Sequence, residues 1–213
     1  MKFGVQPLIG VKHTDYQVSD NRVVRVRLIH PNEGEQSMGA DLIYEQHDPN
    51  TGKVRFIVIQ YKIWNGKGLY WSKDENLASQ LKKMSNNLCE NKFCLSESGQ
   101  LATGEFRFPY CTAFLRPTDK LQQVNSSFIS SGLHIPICKI NSVLEESTNG
   151  NKILRKTNMK ETSISQKHFE DGFIHNQIGS RWLDSDEVEK LYQEHRILES
   201  DERIILHAQE LEL

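Results

Sequence analysis

The sequence predicts an α/β domain, a central mixed sheet flanked by helices, with a helical C-terminal extension. Three observations carry this. The run VRFIVIQYKIW at 54–64 is rich in β-branched and aromatic residues. Both of its alternating sets are apolar in the middle, Phe56 and Val58 on one and Ile57 and Ile59 on the other, as in a strand covered on both faces. Leu77, Leu81, Met84 and Leu88 recur at helical intervals and form one apolar stripe. From about residue 165 the chain reads as mostly helical, with Val188, Leu191, Tyr192 and His195 on one side of a helix that Asp184 or Ser185 can cap.

The elements follow in order. Residues 22–30 alternate charged and apolar side chains, the pattern of a half-buried strand, and 31–38 are turn-rich. Residues 41–46 read as a second strand. In Asp48-Pro49-Asn50-Thr51-Gly52 proline fixes φ while Asn and Gly tolerate positive φ, so a turn leads into the 54–64 strand. Ser72 and Glu75 have capping-box spacing ahead of the helix. Residues 101–116 and 128–140 read as further strands, interrupted at Pro109 and Pro136. Residues 145–163 are polar and carry Asn-Gly, which predicts a loop. The expected organisation is a core at 1–144, a linker or loop at 145–164 and the helical extension at 165–213.

Composition narrows the function. Of 213 residues 37% are hydrophobic and 25% charged, enough for a core and unlike a disordered chain. Lys plus Arg number 26 against 28 Asp plus Glu, a net charge of −2, so any nucleic-acid function must rest on a local patch. No apolar run approaches the ~18 residues of a membrane span, and the start MKFGVQPLIGVKHTDY lacks the long apolar region of a signal peptide. Four cysteines are too few for a disulfide scaffold, so a reducing, cytoplasmic setting is expected. The charge is unevenly spread. Residues 53–92 hold eight basic and three acidic side chains, a local +5, whereas 181–213 hold four basic and ten acidic ones, a local −6. The acidic region can mask the basic one or dock a partner, a second copy of the chain included.

The stretch from Glu35 to Lys62 carries the chemistry. Gln60 and Lys62 are two apart on a strand and share the face that begins with Phe56 and Val58. Positions 41 and 60 are centred on 50.5, where Asn50 and Thr51 sit in the turn, so a simple hairpin sets Asp41 opposite Gln60 with Lys62 one step beyond. Three polar groups converging at the end of two apolar strands add little stability and suggest a site. A carboxylate and an amide oxygen are hard ligands suited to Mg²⁺, which binds through one or two carboxylates plus substrate phosphate. A neighbouring lysine can orient a water or neutralise charge on a scissile phosphate. Glu35 can supply a second carboxylate, and Gly39 lets backbone approach closely.

The order Glu35, Gly39-Ala40-Asp41, Gln60-x-Lys62 resembles the active-site pattern of the PD-(D/E)XK, restriction-endonuclease-like nuclease superfamily, in branches with Gln in place of the second acid. The resemblance covers roughly residues 33–90. It implies a restriction-endonuclease-like core and Mg²⁺- or Mn²⁺-dependent hydrolysis of DNA phosphodiester bonds. Carried over, Asp41 is the main metal ligand, Gln60 a ligand or ligand-positioner, Lys62 the water-activating residue and Glu35 the upstream acid. Gln60 departs from the commoner acid and removes one negative charge from the metal site. Lys67, Lys73, Lys82 and Lys83 are the candidate contacts to the nucleic-acid backbone. The alternatives are a non-catalytic nucleic-acid- or protein-binding module on the same scaffold and a zinc-stabilised interaction protein.

Other candidates carry less. Cys89, Cys94, Cys111 and Cys138 can be written as a four-thiolate Zn²⁺ site, but the first pair lacks knuckle spacing, Cys138 sits in an apolar run, and buried free thiols explain them better. His30 and His47 flank the site in sequence and are candidates to touch phosphate. The aromatic run 106–114, with Arg107 and Arg116 nearby, reads as a packed strand ahead of a base-stacking surface. Trp64, Tyr70 and Trp71, interleaved with Lys67 and Lys73, suit a DNA-facing loop, although Trp64 also suits the core. No P-loop and no Gly-x-Ser-x-Gly elbow is present.

Overall fold

The computed structural model describes residues 8–9, 13–19, 22–29, 37–66, 68–71, 75–94, 112–119, 132–195 and 197. Strands β1 (Leu8–Ile9), β2 (Thr14–Ser19), β3 (Arg22–Leu28), β4 (Leu42–His47) and β5 (Val54–Ile63) form an antiparallel meander. The chain then leaves through β6 (Gly68–Tyr70), helix α1 (Glu75–Met84) and a π-helical turn (Ser85–Glu90). It returns as β7 (Ala113–Thr118), parallel to β5. Strand β8 (Leu133–Pro136) pairs antiparallel with β7, and β11 (Ile164–Ser165) continues the order beyond β8. The sheet is therefore mixed, with its parallel pair at the centre.

The predicted two-faced burial of β5 is what the sheet displays. One face packs Ile43, Phe56 and Val58 under Leu77, Leu81, Met84 and Leu88, the stripe read from the sequence. The same face receives Val188, Leu191 and Tyr192 of α3 (Ser185–Glu194). The opposite face packs Leu42, Ile57, Ile59 and Phe114 under Phe169 and Phe173 of α2 (Gln166–Ile174). Both sets on β5 are buried because helices cover both sides, and each fully buried aliphatic side chain is worth about 1.5–3 kcal/mol.

Two expectations are corrected. Residues 145–164 are not a loop: β9 (Leu144–Glu146) and β10 (Lys152–Arg155) form a small antiparallel sheet with β6, and β11 closes the segment. The Asn-Gly signal marks only the tight turn between β9 and β10, where Gly150 takes φ +73°. The 128–140 strand is shorter than predicted, because the chain turns into a 3-10 helix (Ile137–Ser142) directly after Pro136. The chain after α2 contacts the core through β5. Arg55 of β5, 1% exposed, donates to Asn176 Oδ1 at 2.8 Å and to the Ile178 carbonyl, while Val54 bridges Leu183. Asp184, one of the two predicted caps, is the N-cap of α3, and its backbone N–H donates to Glu187 Oε2 at 3.1 Å. Among the described residues no helix is long and apolar enough to cross a membrane.

Candidate active site

The β4–β5 hairpin has the register deduced from the sequence. Leu42 faces Ile59 and His47 faces Val54, so every pair sums to 101. Asp48 and Lys53 close the turn with a 3.0 Å backbone bond. Asp48 stabilises the turn from within by accepting from the Asn50 N–H at 2.9 Å and from the Thr51 hydroxyl at 2.9 Å. Gly52 supplies the positive φ, +68°.

Asp41 enters the sheet just before β4. Its N–H donates to the Ile59 carbonyl at 2.9 Å and its carbonyl accepts from Ile29 at 2.8 Å, so its backbone is held by the strands on both sides. Its carboxylate is held by β5. Oδ2 accepts from Gln60 Nε2 at 2.8 Å and from the Tyr61 backbone N–H at 2.7 Å. Gln60 is 2% exposed, and Nε2 also donates to the Tyr61 carbonyl at 3.1 Å. Its Oε1 is buried without a hydrogen-bond partner among the described residues. A buried acceptor left unmatched costs roughly 1–3 kcal/mol, so an oxygen in this position invites a donor or a cation. Lys62 lies two residues on, on the same face and half-exposed, where β5 passes from fully buried to open.

Gly39 fixes the approach to Asp41. Its φ is +82°, and a Cβ there would fall within 3.0 Å of three Gln80 backbone atoms, so α1 rests directly on the segment before the carboxylate. Gln80, 3% exposed, faces this segment, and Asn87 Nδ2 donates to the Ser37 carbonyl at 3.0 Å. Tyr61, Ser37, Gln80 and Asn87 were not singled out by sequence pattern, because each acts through its backbone or through a contact between distant elements.

The other candidates divide. Glu35, Lys67, Lys73, Cys111, His30 and Arg107 lie outside the described residues. Lys82 is exposed and Lys83 half-exposed on the last turn of α1. The +5 block is not one patch. Arg55 is buried under α2, and Lys53, at the far end of β5 from Lys62, pairs with Asp184 at 3.5 Å. His47 is likewise at the far end of β4 from Asp41. It meets the buried Glu45 at 3.0 Å, beside Arg27 and the Tyr192 hydroxyl at 2.5 Å, and this ion cluster occupies it. Burial raises the Glu45 pKa, but the bond to His47 and the Arg27 charge outweigh it and hold the carboxyl below its usual range. Arg116 is no stacking surface for bases: it is 3% exposed, lies over the Tyr61 ring and donates to the Tyr61 hydroxyl at 3.1 Å. Trp64 and Trp71 are partly buried against the core. Cys89 and Cys94 are half-buried and Cys138 is exposed. Among the described residues no group of three or more His, Cys, Asp or Glu side chains is placed to hold a metal ion.

The donor set at Asp41 and Gln60 suits a hard cation, which needs only one or two protein carboxylates beside substrate phosphate and water. The Gln60 amide turns Nε2 toward the carboxylate, so it would have to rotate to offer a shared ion its Oε1, which has no hydrogen-bond partner among the described residues. No family model matches the chain, and no curated protein or solved structure matches it.

Proposed function

We propose that the chain is a metal-dependent nuclease that hydrolyses DNA phosphodiester bonds on a restriction-endonuclease-like core. One observation carries the reading: the Asp41 carboxylate and the Gln60 amide meet at 2.8 Å at the open end of the hairpin, with Lys62 next on the same face. Asp41, with Gln60 and Glu35, would hold Mg²⁺ or Mn²⁺, which supplies Lewis-acid polarisation of the phosphoryl oxygen. Gln60 and the Tyr61 N–H fix the carboxylate so that it need not reorganise when a ligand arrives. Lys62 orients the attacking water and offsets negative charge on the phosphate. Lys82 and Lys83 on α1, with Lys67 and Lys73, hold the phosphate backbone.

The test is nicking of supercoiled plasmid with Mg²⁺ or Mn²⁺ and with EDTA. Wild-type protein nicks with metal and not with EDTA. Lys62→Ala lowers the rate by about 10²–10⁴-fold, the usual contribution of a positioned proton-transfer group. Equal nicking by wild type and Lys62→Ala would overturn the enzyme reading. Retardation of DNA without cleavage would replace it with a binding module on the same scaffold.

A further inference from the structure

Ser37, four residues before Asp41, is gripped from two places distant in sequence. Its hydroxyl shares a 2.8 Å hydrogen bond with Nδ1 of His195, the residue that closes α3. Its carbonyl accepts from Asn87 at 3.0 Å. Between Ser37 and Asp41 the chain has no room to adjust, since Met38, Gly39 and Ala40 are buried and Gly39 lies against the Gln80 backbone. The sheet therefore fixes where this segment ends, and the contacts of Ser37 fix where it begins. α3 is itself anchored, with Leu191 and Tyr192 buried and the Tyr192 hydroxyl donating to Glu45. Burial lowers the His195 pKa against the opposing charge of Glu194, so the ring that meets Ser37 is neutral near pH 7. Apolar packing alone at the end of α3 would not need a ring nitrogen directed at a hydroxyl.

We propose that His195 is a positioning residue which, through Ser37, holds the segment leading to Asp41 in its metal-binding geometry, making α3 part of the metal site. This rests on the reading of Asp41 as a metal ligand. Groups that orient a ligand from behind commonly change metal affinity by about 10–100-fold when removed.

The test is Mn²⁺ binding to the full chain, followed by the electron paramagnetic resonance signal of free Mn²⁺. His195→Leu and Ser37→Ala each weaken affinity about tenfold. The double variant is no weaker than either single one, because both remove the same bond. His195→Asn places an amide near the position of Nδ1 and recovers most of the affinity. Wild-type affinity in both His195→Leu and Ser37→Ala, with binding lost in Asp41→Asn, overturns the positioning role and leaves the metal site standing. Unchanged binding in Asp41→Asn overturns the metal-site reading itself. Should His195→Leu fail to fold, Ser37→Ala and His195→Asn decide the question.

Discussion

Gln60 donates to the Asp41 carboxylate across 2.8 Å from a side chain that is 2% exposed. A glutamate at 60 would set a second carboxylate against the first, and like charges at that distance cannot both ionise cheaply. Metal-free Gln60→Glu is therefore less stable than wild type by about 1.5–3 kcal/mol at neutral pH, the scale of one lost charge-assisted bond. Mn²⁺ reverses the order of effect, because the extra negative charge strengthens binding and ligand binding stabilises the folded state by mass action. Thermal unfolding with and without Mn²⁺ measures both terms. A metal-free variant as stable as wild type would show that residue 60 does not press on Asp41.

The hairpin was legible because its register depends on local quantities, a turn centre and a parity, and both are written in 48–60. The stripe of α1 was legible for the same reason. The pairing of β10 with β6 and the tie between Arg55 and Asn176 were not, since each joins residues many tens of positions apart. The site was half legible. Asp41, Gln60 and Lys62 follow from the pattern, whereas Ser37 and His195 meet across 158 positions and leave no linear trace.

Gly39 and Gly52 separate two costs of glycine replacement. Both have positive φ, +82° and +68°, where an L side chain is strained by about 1–2 kcal/mol. Only Gly39 also lacks space, since a Cβ there meets the Gln80 backbone while one at Gly52 meets nothing within 4 Å. Gly39→Ala should cost about 1–3 kcal/mol more than Gly52→Ala, the usual price of overpacking against a rigid neighbour. Urea unfolding of the two variants gives the difference. Equal losses would mean that α1 can retreat from the segment before Asp41.

Glu45 is 1% exposed and binds Arg27, His47 and the Tyr192 hydroxyl. Its pKa is held below the ordinary value, so its stabilisation is present above the unfolded pKa and is lost as pH falls through the folded one. Glu45→Gln leaves Arg27 without its counter-charge, and breaking a buried pair from one side costs about 3–5 kcal/mol. Chemical denaturation at neutral pH measures the loss. A loss under 1 kcal/mol would show that water reaches Arg27 once the carboxylate is gone.

His134 sets the opposite limb of the pH response. It is fully buried, stacked on Phe169 at 4.0 Å and edge-on to Phe114, and neither ring nitrogen has a hydrogen-bond partner among the described residues. Burial first, and the Arg116 charge second, push its pKa well below the ordinary 6.5. Above that value both folded and unfolded chains carry a neutral ring, and protonation contributes nothing. Below it the unfolded chain takes up a proton that the folded chain refuses, so stability falls as pH falls, by about 1.4 kcal/mol per unit until the folded pKa is reached. His134→Phe removes this proton and keeps an aromatic ring between Phe114 and Phe169. As pH falls from about 6.5 toward 5 the variant should therefore lose less stability than wild type. Part of the acid slope must persist, because burial also lowers the pKa values of His13 and His195. Urea unfolding of both proteins across this range measures the two slopes. If they coincide, the folded chain admits a proton at His134, and the packing of α2 over β8 opens more easily than its burial implies.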